Sequence, residues 1–130
     1  MRWGDGKLER SEKMDKPHKK LKAWQGGMDL CLRIYEMTEG FPKHELYGLA
    51  SQMRRAAVSI PCNIAEGSAR SSGKESAQFY NIARASLSEL DTQVEIAKRL
   101  MYIGADANLK LDAIMIDVDR LLYGLWKKKR

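Results

Sequence analysis

Two histidines, two cysteines and three prolines are all that the 130 residues hold of the side chains that most often bind metals, form disulfides or break helices. His18 and His44 stand apart with no second ligand at a metal-binding interval. Neither C-x-x-C nor H-E-x-x-H occurs, and the Glu-x-x-His pairs of di-iron bundles are missing too, so neither a metal nor another cofactor is expected. No serine has a histidine placed by the pattern as its base, which leaves nucleophilic catalysis without a legible constellation. Cys31 and Cys62 both fall in apolar segments and read as free buried thiols of a reducing, cytoplasmic compartment. No apolar run approaches about 18 residues and no signal-peptide core follows Met1, so a membrane or secretory role is not expected.

What the chain has in abundance is helical periodicity. With 44% hydrophobic and 31% charged residues, one folded domain is expected. Residues 1–16 are polar and aperiodic and read as a flexible N-terminal extension. Pro17 fits a first helical turn, followed by Leu21, Trp24, Met28, Cys31 and Tyr35 at spacings of one helical face, with Gly26-Gly27 as a weak point and Gly40 as the stop. A second helix is expected from near Pro42 through Leu46, Leu49, Met53, Ala56 or Ala57, Ile60 and Ile64, with a kink or short break at Pro61. Ser72 and Glu75 have capping-box spacing for a third helix through Phe79, Ala83, Leu87, Leu90, Val94, Ala97 and Met101, closed by Gly104. Asp106 or Asn108 caps a fourth, through Leu111, Ile114, Val118, Leu121 and Leu125. No window alternates with period two. Short connections force antiparallel neighbours, so the expected fold is all-α: an up-down-up-down four-helix bundle over residues 17–126, with a basic tail at 127–130.

The net charge of +6 is unevenly spread. Residues 1–20 carry +3, Lys127-Lys128-Lys129-Arg130 carry +4, and the rest of the chain carries −1. Electrostatic attraction to nucleic acid must therefore come from the ends, with Lys19, Lys20, Lys127, Lys128, Lys129 and Arg130 as candidate contacts, or from a local pair such as Arg54-Arg55. The bland alternative is that a basic C-terminus follows the helix dipole and aids solubility. No zinc knuckle or ribonucleoprotein aromatic pair accompanies these charges, and Trp126 is the one aromatic beside the last four residues. Gly67-Ser68-Ala69-Arg70-Ser71-Ser72-Gly73-Lys74-Glu75 imitates a phosphate-binding loop but fails it. Five residues intervene where four are needed, and Glu75 replaces the required hydroxyl.

A second line follows the second helix at spacings of three and four: Gln52, Arg55, Ser59, Asn63, Glu66 and Arg70. The third helix has a counterpart in Ser86, Glu89 and Gln93. These residues make either a solvated face or a hydrogen-bonded network, within the bundle or across a subunit contact, with Arg54 or Arg55 paired to Glu66 or Glu89. Asn63 is expected to satisfy backbone groups loosened by Pro61 or to cross to the third helix.

The stretch Phe41-Pro42, Glu45, Tyr47-Gly48-Leu49, Gln52, Arg54-Arg55-Ala56, Ser59-Ile60-Pro61 and Asn63-Ile64-Ala65-Glu66-Gly67 resembles the signature of the 23S ribosomal RNA intervening-sequence protein family. Leu21, Trp24-Gln25, Ser86, Glu89-Leu90, Gln93 and Ala97 extend the resemblance to about residues 18–126. The long N-terminal extension and Gly26-Gly27 depart from it. The resemblance implies a bacterial, left-handed antiparallel bundle that assembles into a ring of five, with no catalytic residue. It also implies a fold similar to the accessory variability determinants of diversity-generating retroelements, which bind a reverse transcriptase and its RNA through a basic pentamer. The expectation is a non-enzymatic homo-oligomer, a pentamer by resemblance, that contacts RNA, DNA or a nucleic-acid enzyme such as a reverse transcriptase. The alternative is a structural or protein-interaction bundle with no nucleic-acid role.

Overall fold

A computed structural model describes residues 14–130; most of the 1–16 segment expected to be a flexible extension lies outside the described residues. Four helices follow one another, α1 (Lys22–Thr38), α2 (Leu49–Ser68), α3 (Gly73–Arg99) and α4 (Ala105–Lys129), with short 3-10 turns at Pro17–Lys20 and Lys43–Glu45. No strand occurs among the described residues. Each helix packs on two neighbours, α1 on α2 and α4, and α3 on α2 and α4, while the diagonal pairs make no close backbone approach. This is the antiparallel four-helix bundle that the periodicity predicts. Its centre is filled by Leu30, Ile34, Met53, Ile60, Ile64, Leu90, Val94, Leu111, Val118 and Leu122, all fully buried. Each contributes roughly 1.5–3 kcal/mol relative to exposure.

The inward face of α1 differs from the one expected. Ala23, Gly27, Leu30, Ile34 and Thr38 are buried, whereas Leu21, Trp24 and Cys31 flank the core and Tyr35 is exposed. Gly27 is part of that face rather than a defect. A Cβ there would lie 3.3 Å from Ile60 Cγ2 and 3.6 Å from the Pro61 backbone nitrogen, so its absence lets α1 close onto α2. Gly67 does the same between α2 and α3, since a Cβ would meet the Tyr80 ring at 2.6 Å. Neither close approach can be read from a helical wheel.

Several helix ends also move. Pro17 opens the 3-10 turn, and α1 begins after extended Leu21. α2 starts at Leu49, not near Pro42, because Gly48 departs from helical geometry and Glu45 Oε1 accepts the Leu49 N–H at 3.1 Å. α2 then runs through buried Pro61 without a break. Ser72 caps α3 as expected, its Oγ accepting from the Glu75 N–H at 3.3 Å, but the return bond from the Glu75 carboxylate is not formed. Gly104 precedes α4 as its N-cap instead of closing α3, and neither Asp106 nor Asn108 caps it. α3 ends at Arg99 in a Schellman turn, with the Tyr102 N–H on the Ala97 carbonyl at 2.9 Å and the Met101 N–H on the Lys98 carbonyl at 2.9 Å. Cys62 is exposed, against expectation, while burial pushes the half-buried Cys31 thiol up, aided by nearby Cys62.

Glu45 ties the two connections at this end together. Its Oε1 caps α2, and its Oε2 accepts the Tyr102 hydroxyl at 2.9 Å while Tyr102 packs on Phe41 at 5.1 Å between ring centroids. The Leu49 N–H, and after it the Tyr102 hydroxyl, hold the Glu45 carboxyl below its ordinary range.

Two features of this end set expected outcomes for stability. Met101 occupies the left-handed position of the Schellman turn at φ 65° with its side chain 87% exposed. Met101→Gly is expected to raise unfolding stability by about 0.5–1 kcal/mol, measured by urea denaturation, because an L side chain carries a cost there that glycine avoids. A lowered carboxyl stabilises the fold fully above the ordinary carboxylate range of roughly 4.3, and that contribution is lost as pH falls through the folded value. The urea-midpoint gap between the parent chain and Glu45→Gln is therefore expected to be widest near neutrality and to narrow at about pH 3.

Candidate nucleic-acid interface

The up-down-up-down path decides where the charges go. α2 ends and α3 begins at one end of the bundle, and α1 starts and α4 finishes there as well. The 3-10 turn Pro17–Lys20 packs on α1 and α2, and a Cβ on Gly73 would lie 3.0 Å from the Lys129 carbonyl oxygen, which fixes the end of α4 against the start of α3. Lys19, Lys20 and Lys22 from the N-terminal side thus share one end with Arg70 and Lys74 and with Lys127, Lys128, Lys129 and Arg130. The Gln25 side chain donates to the Lys19 carbonyl at 3.0 Å and His18 meets Trp24 edge-on at 5.2 Å, which orders the first of these segments. Lys19 Nζ donates to the Met14 carbonyl at 2.7 Å. Lys127, Lys128 and Lys129 are the last turn of α4 rather than a separate tail. Among the described residues, Arg70 is the one cation of this end in an ion pair, with Glu66 at 2.7 Å.

Beside these lysines lies a cluster that the charge pattern did not reveal. The Arg84 guanidinium carbon sits 5.2 Å from the ring centroids of both Tyr123 and Trp126, Arg130 lies over Trp126 at 5.1 Å, and Lys127 Nζ is 6.0 Å from Tyr123. The spacing of four between Tyr123 and Lys127, and between Trp126 and Arg130, is readable from the sequence. That Arg84 of α3 reaches the same rings is not.

The polar stripe divides into parts. Asn63 Nδ2 donates to the Ser59 carbonyl at 2.8 Å and to Ser59 Oγ at 2.9 Å, and Ser59 Oγ pairs with Ser86 Oγ at 2.8 Å, crossing from α2 to α3. The carbonyl that Pro61 deprives of a donor is that of Ala57, so Asn63 supports a carbonyl further along, and Ser59 makes the crossing. The expected pairing of Arg54 or Arg55 with Glu66 or Glu89 does not form. Arg54 Nε donates to Thr38 Oγ1 at 2.8 Å and its guanidinium stacks on Tyr35 at 4.9 Å. Glu66 is taken by Arg70, which also stacks on Phe79, and Glu89 accepts from Gln93 Nε2 at 3.2 Å. A short spacing on a wheel cannot say that Thr38 of α1 is nearer to Arg54 than any acid. Gln52, Arg55 and Glu89 instead line an open groove of about 390 Å³ with Ala56, Ser59 and Ser86.

No group of three or more His, Cys, Asp or Glu positioned for a metal occurs among the described residues, and no described helix is long and apolar enough to cross a membrane. For Asn63→Ala the expected loss is about 1 kcal/mol of unfolding stability by urea denaturation, because Ser59 Oγ and its carbonyl lose a partner in a half-buried site. A change within about 0.3 kcal/mol would mark the Asn63 amide as solvated.

The same architecture is found in the 1.70 Å crystal structure of a protein of unknown function from the S23 ribosomal protein family of Bacteroides thetaiotaomicron VPI-5482. The two superpose with a TM-score of 0.72 at 20% sequence identity, over 81% of this chain and 98% of that one, a likeness of fold. No curated protein matches the chain significantly. The model of the 23S rRNA-intervening sequence protein family matches residues 19–124, from the basic 3-10 turn to the end of the α4 core, and the chain belongs to that family.

Proposed function

We propose that the protein is a non-enzymatic, self-associating bundle that binds nucleic acid, or an enzyme working on nucleic acid, through its basic end. The observation that carries this reading is the convergence of the two charged segments of the sequence, with Arg70 and Lys74 between them, on one end of the molecule. A cluster of cations with few acids nearby attracts polyphosphate and gains from releasing its counterions. Self-association is supported by the groove beside that of Gln52. There Tyr35, Leu46, Tyr47 and Val58 surround Arg54 and Arg55, with Tyr47 92% exposed. Apolar side chains left in water around paired arginines suit a protein contact. A ring of five copies, as the family resemblance implies, would set several basic ends side by side.

The second reading, a protein-interaction bundle with no nucleic-acid role, is favoured by the opposite end, where Leu46, Tyr47, Leu100, Met101 and Leu109 are all exposed. Affinity for RNA and DNA measured against salt separates the two. The parent chain is expected to lose affinity log-linearly with salt and to show little preference for base sequence. Replacing Lys127, Lys128, Lys129 and Arg130 together by Gln should weaken every sequence alike and flatten the slope by about 0.7–0.9 for each phosphate left without a cation. Absence of salt-dependent binding in a chain that light scattering shows to be oligomeric would leave the protein-interaction reading standing.

A further inference from the structure

Resting on the nucleic-acid reading above, we infer that Tyr123 and Trp126 of α4, with Arg84 of α3 and with Lys127 and Arg130, form a stacking site selective for single-stranded over duplex nucleic acid. Two aromatic rings hold Arg84. Among the described residues no carboxylate pairs or hydrogen-bonds with it, and its buried Nε has no acceptor. A guanidinium lying on ring faces gains electrostatic attraction without spending its N–H donors. Among the described residues the terminal N–H donors of Arg84 make no hydrogen bond either, so the rings are its neighbours in place of an acceptor.

Lys127 and Arg130 repeat the arrangement one helical turn further on, over Tyr123 and Trp126. The two rings are 5.7 Å apart and tilted by 40°, and Tyr123 keeps 44% of its surface in water. Aromatic rings and cations therefore lie side by side on the final turns of α4. A single strand offers unstacked bases for the rings and phosphates for the cations at once, whereas a duplex hides its bases and can use only the cations. In this arrangement Tyr123 receives the base, Lys127 and Arg130 meet phosphate, and Trp126 with Arg84 position the tyrosine ring.

The test uses the full chain with a labelled single-stranded 20-mer and the matching 20-base-pair duplex, each titrated over a range of salt. Tyr123→Leu keeps apolar bulk but removes the ring. It is expected to weaken the single strand about tenfold, to change the duplex less than twofold and to leave the salt slope intact, while Tyr123→Phe binds like the parent. As a second readout, in a chain with Trp3 and Trp24 replaced by Phe, Trp126 fluorescence should be quenched by the single strand and little by the duplex. Equal losses for both nucleic acids, no loss for either, or no selective quenching would overturn the stacking site while leaving charge-driven binding intact. A parent chain that binds neither nucleic acid would overturn both.

Discussion

An even number of helices joined by short turns must return the chain to the end from which it set out, and that constraint governs most of what the surface can do. Without it, the charged segments around residues 16–22 and 127–130 would be separate features at unrelated places. With it, they lie beside the turn between α2 and α3, and the charges of Arg70 and Lys74 join them. The same path sends the other two connections to the far end, where Glu45 and Tyr102 fasten them and exposed apolar side chains collect. Cations thus gather at one end of the molecule, and exposed apolar side chains gather at the other.

Between the ends, close helix approach depends on what is missing from the side chains. Gly27 against Ile60 and Pro61, and Gly67 against Tyr80, remove Cβ atoms at points where the helices come nearest. Polar groups between α2 and α3 then fall within reach of one another, and Ser59 and Ser86 meet directly at 2.8 Å. The arginines of α2 sort themselves by local company. Arg54 is absorbed by Thr38 and Tyr35 and serves the α1–α2 contact, whereas Arg55 faces the groove with Glu89. Two adjacent residues of one type thereby take different roles.

The bundle is legible in the sequence because apolar residues at spacings of three and four admit one answer when four such runs are joined by short polar turns. The cationic segments are legible as well, since charge needs no partner to be counted. Periodicity misplaces the face of α1 because Gly27 and Thr38 are buried there and neither scores as apolar, while Tyr35 scores as apolar and is exposed. Helix ends fail where geometry rules: Gly48 delays α2, and Met101 stands where a glycine would have announced the end of α3. The side-chain network is legible as a stripe but not as a set of pairs, because partners are chosen by neighbouring helices that a single-helix periodicity does not contain. Arg84 is the plainest case, an ordinary charge in the middle of α3 until α4 brings two rings to it.

The alternation of helix directions has a further effect on how the molecule behaves before it touches anything. Peptide dipoles of α1 and α3 point oppositely to those of α2 and α4, so the backbone contributes almost no net moment to the whole. Among the described residues the uneven charge is then that of the side chains, with Lys20, Lys74 and Lys129 gathered at one end. In the field of a polyanion such a body turns as it diffuses, and it arrives lysines first. Within a Debye length of about 8 Å at physiological salt, such a torque acts on orientation and so on the rate of encounter with any polyanion, not on the number of contacts made.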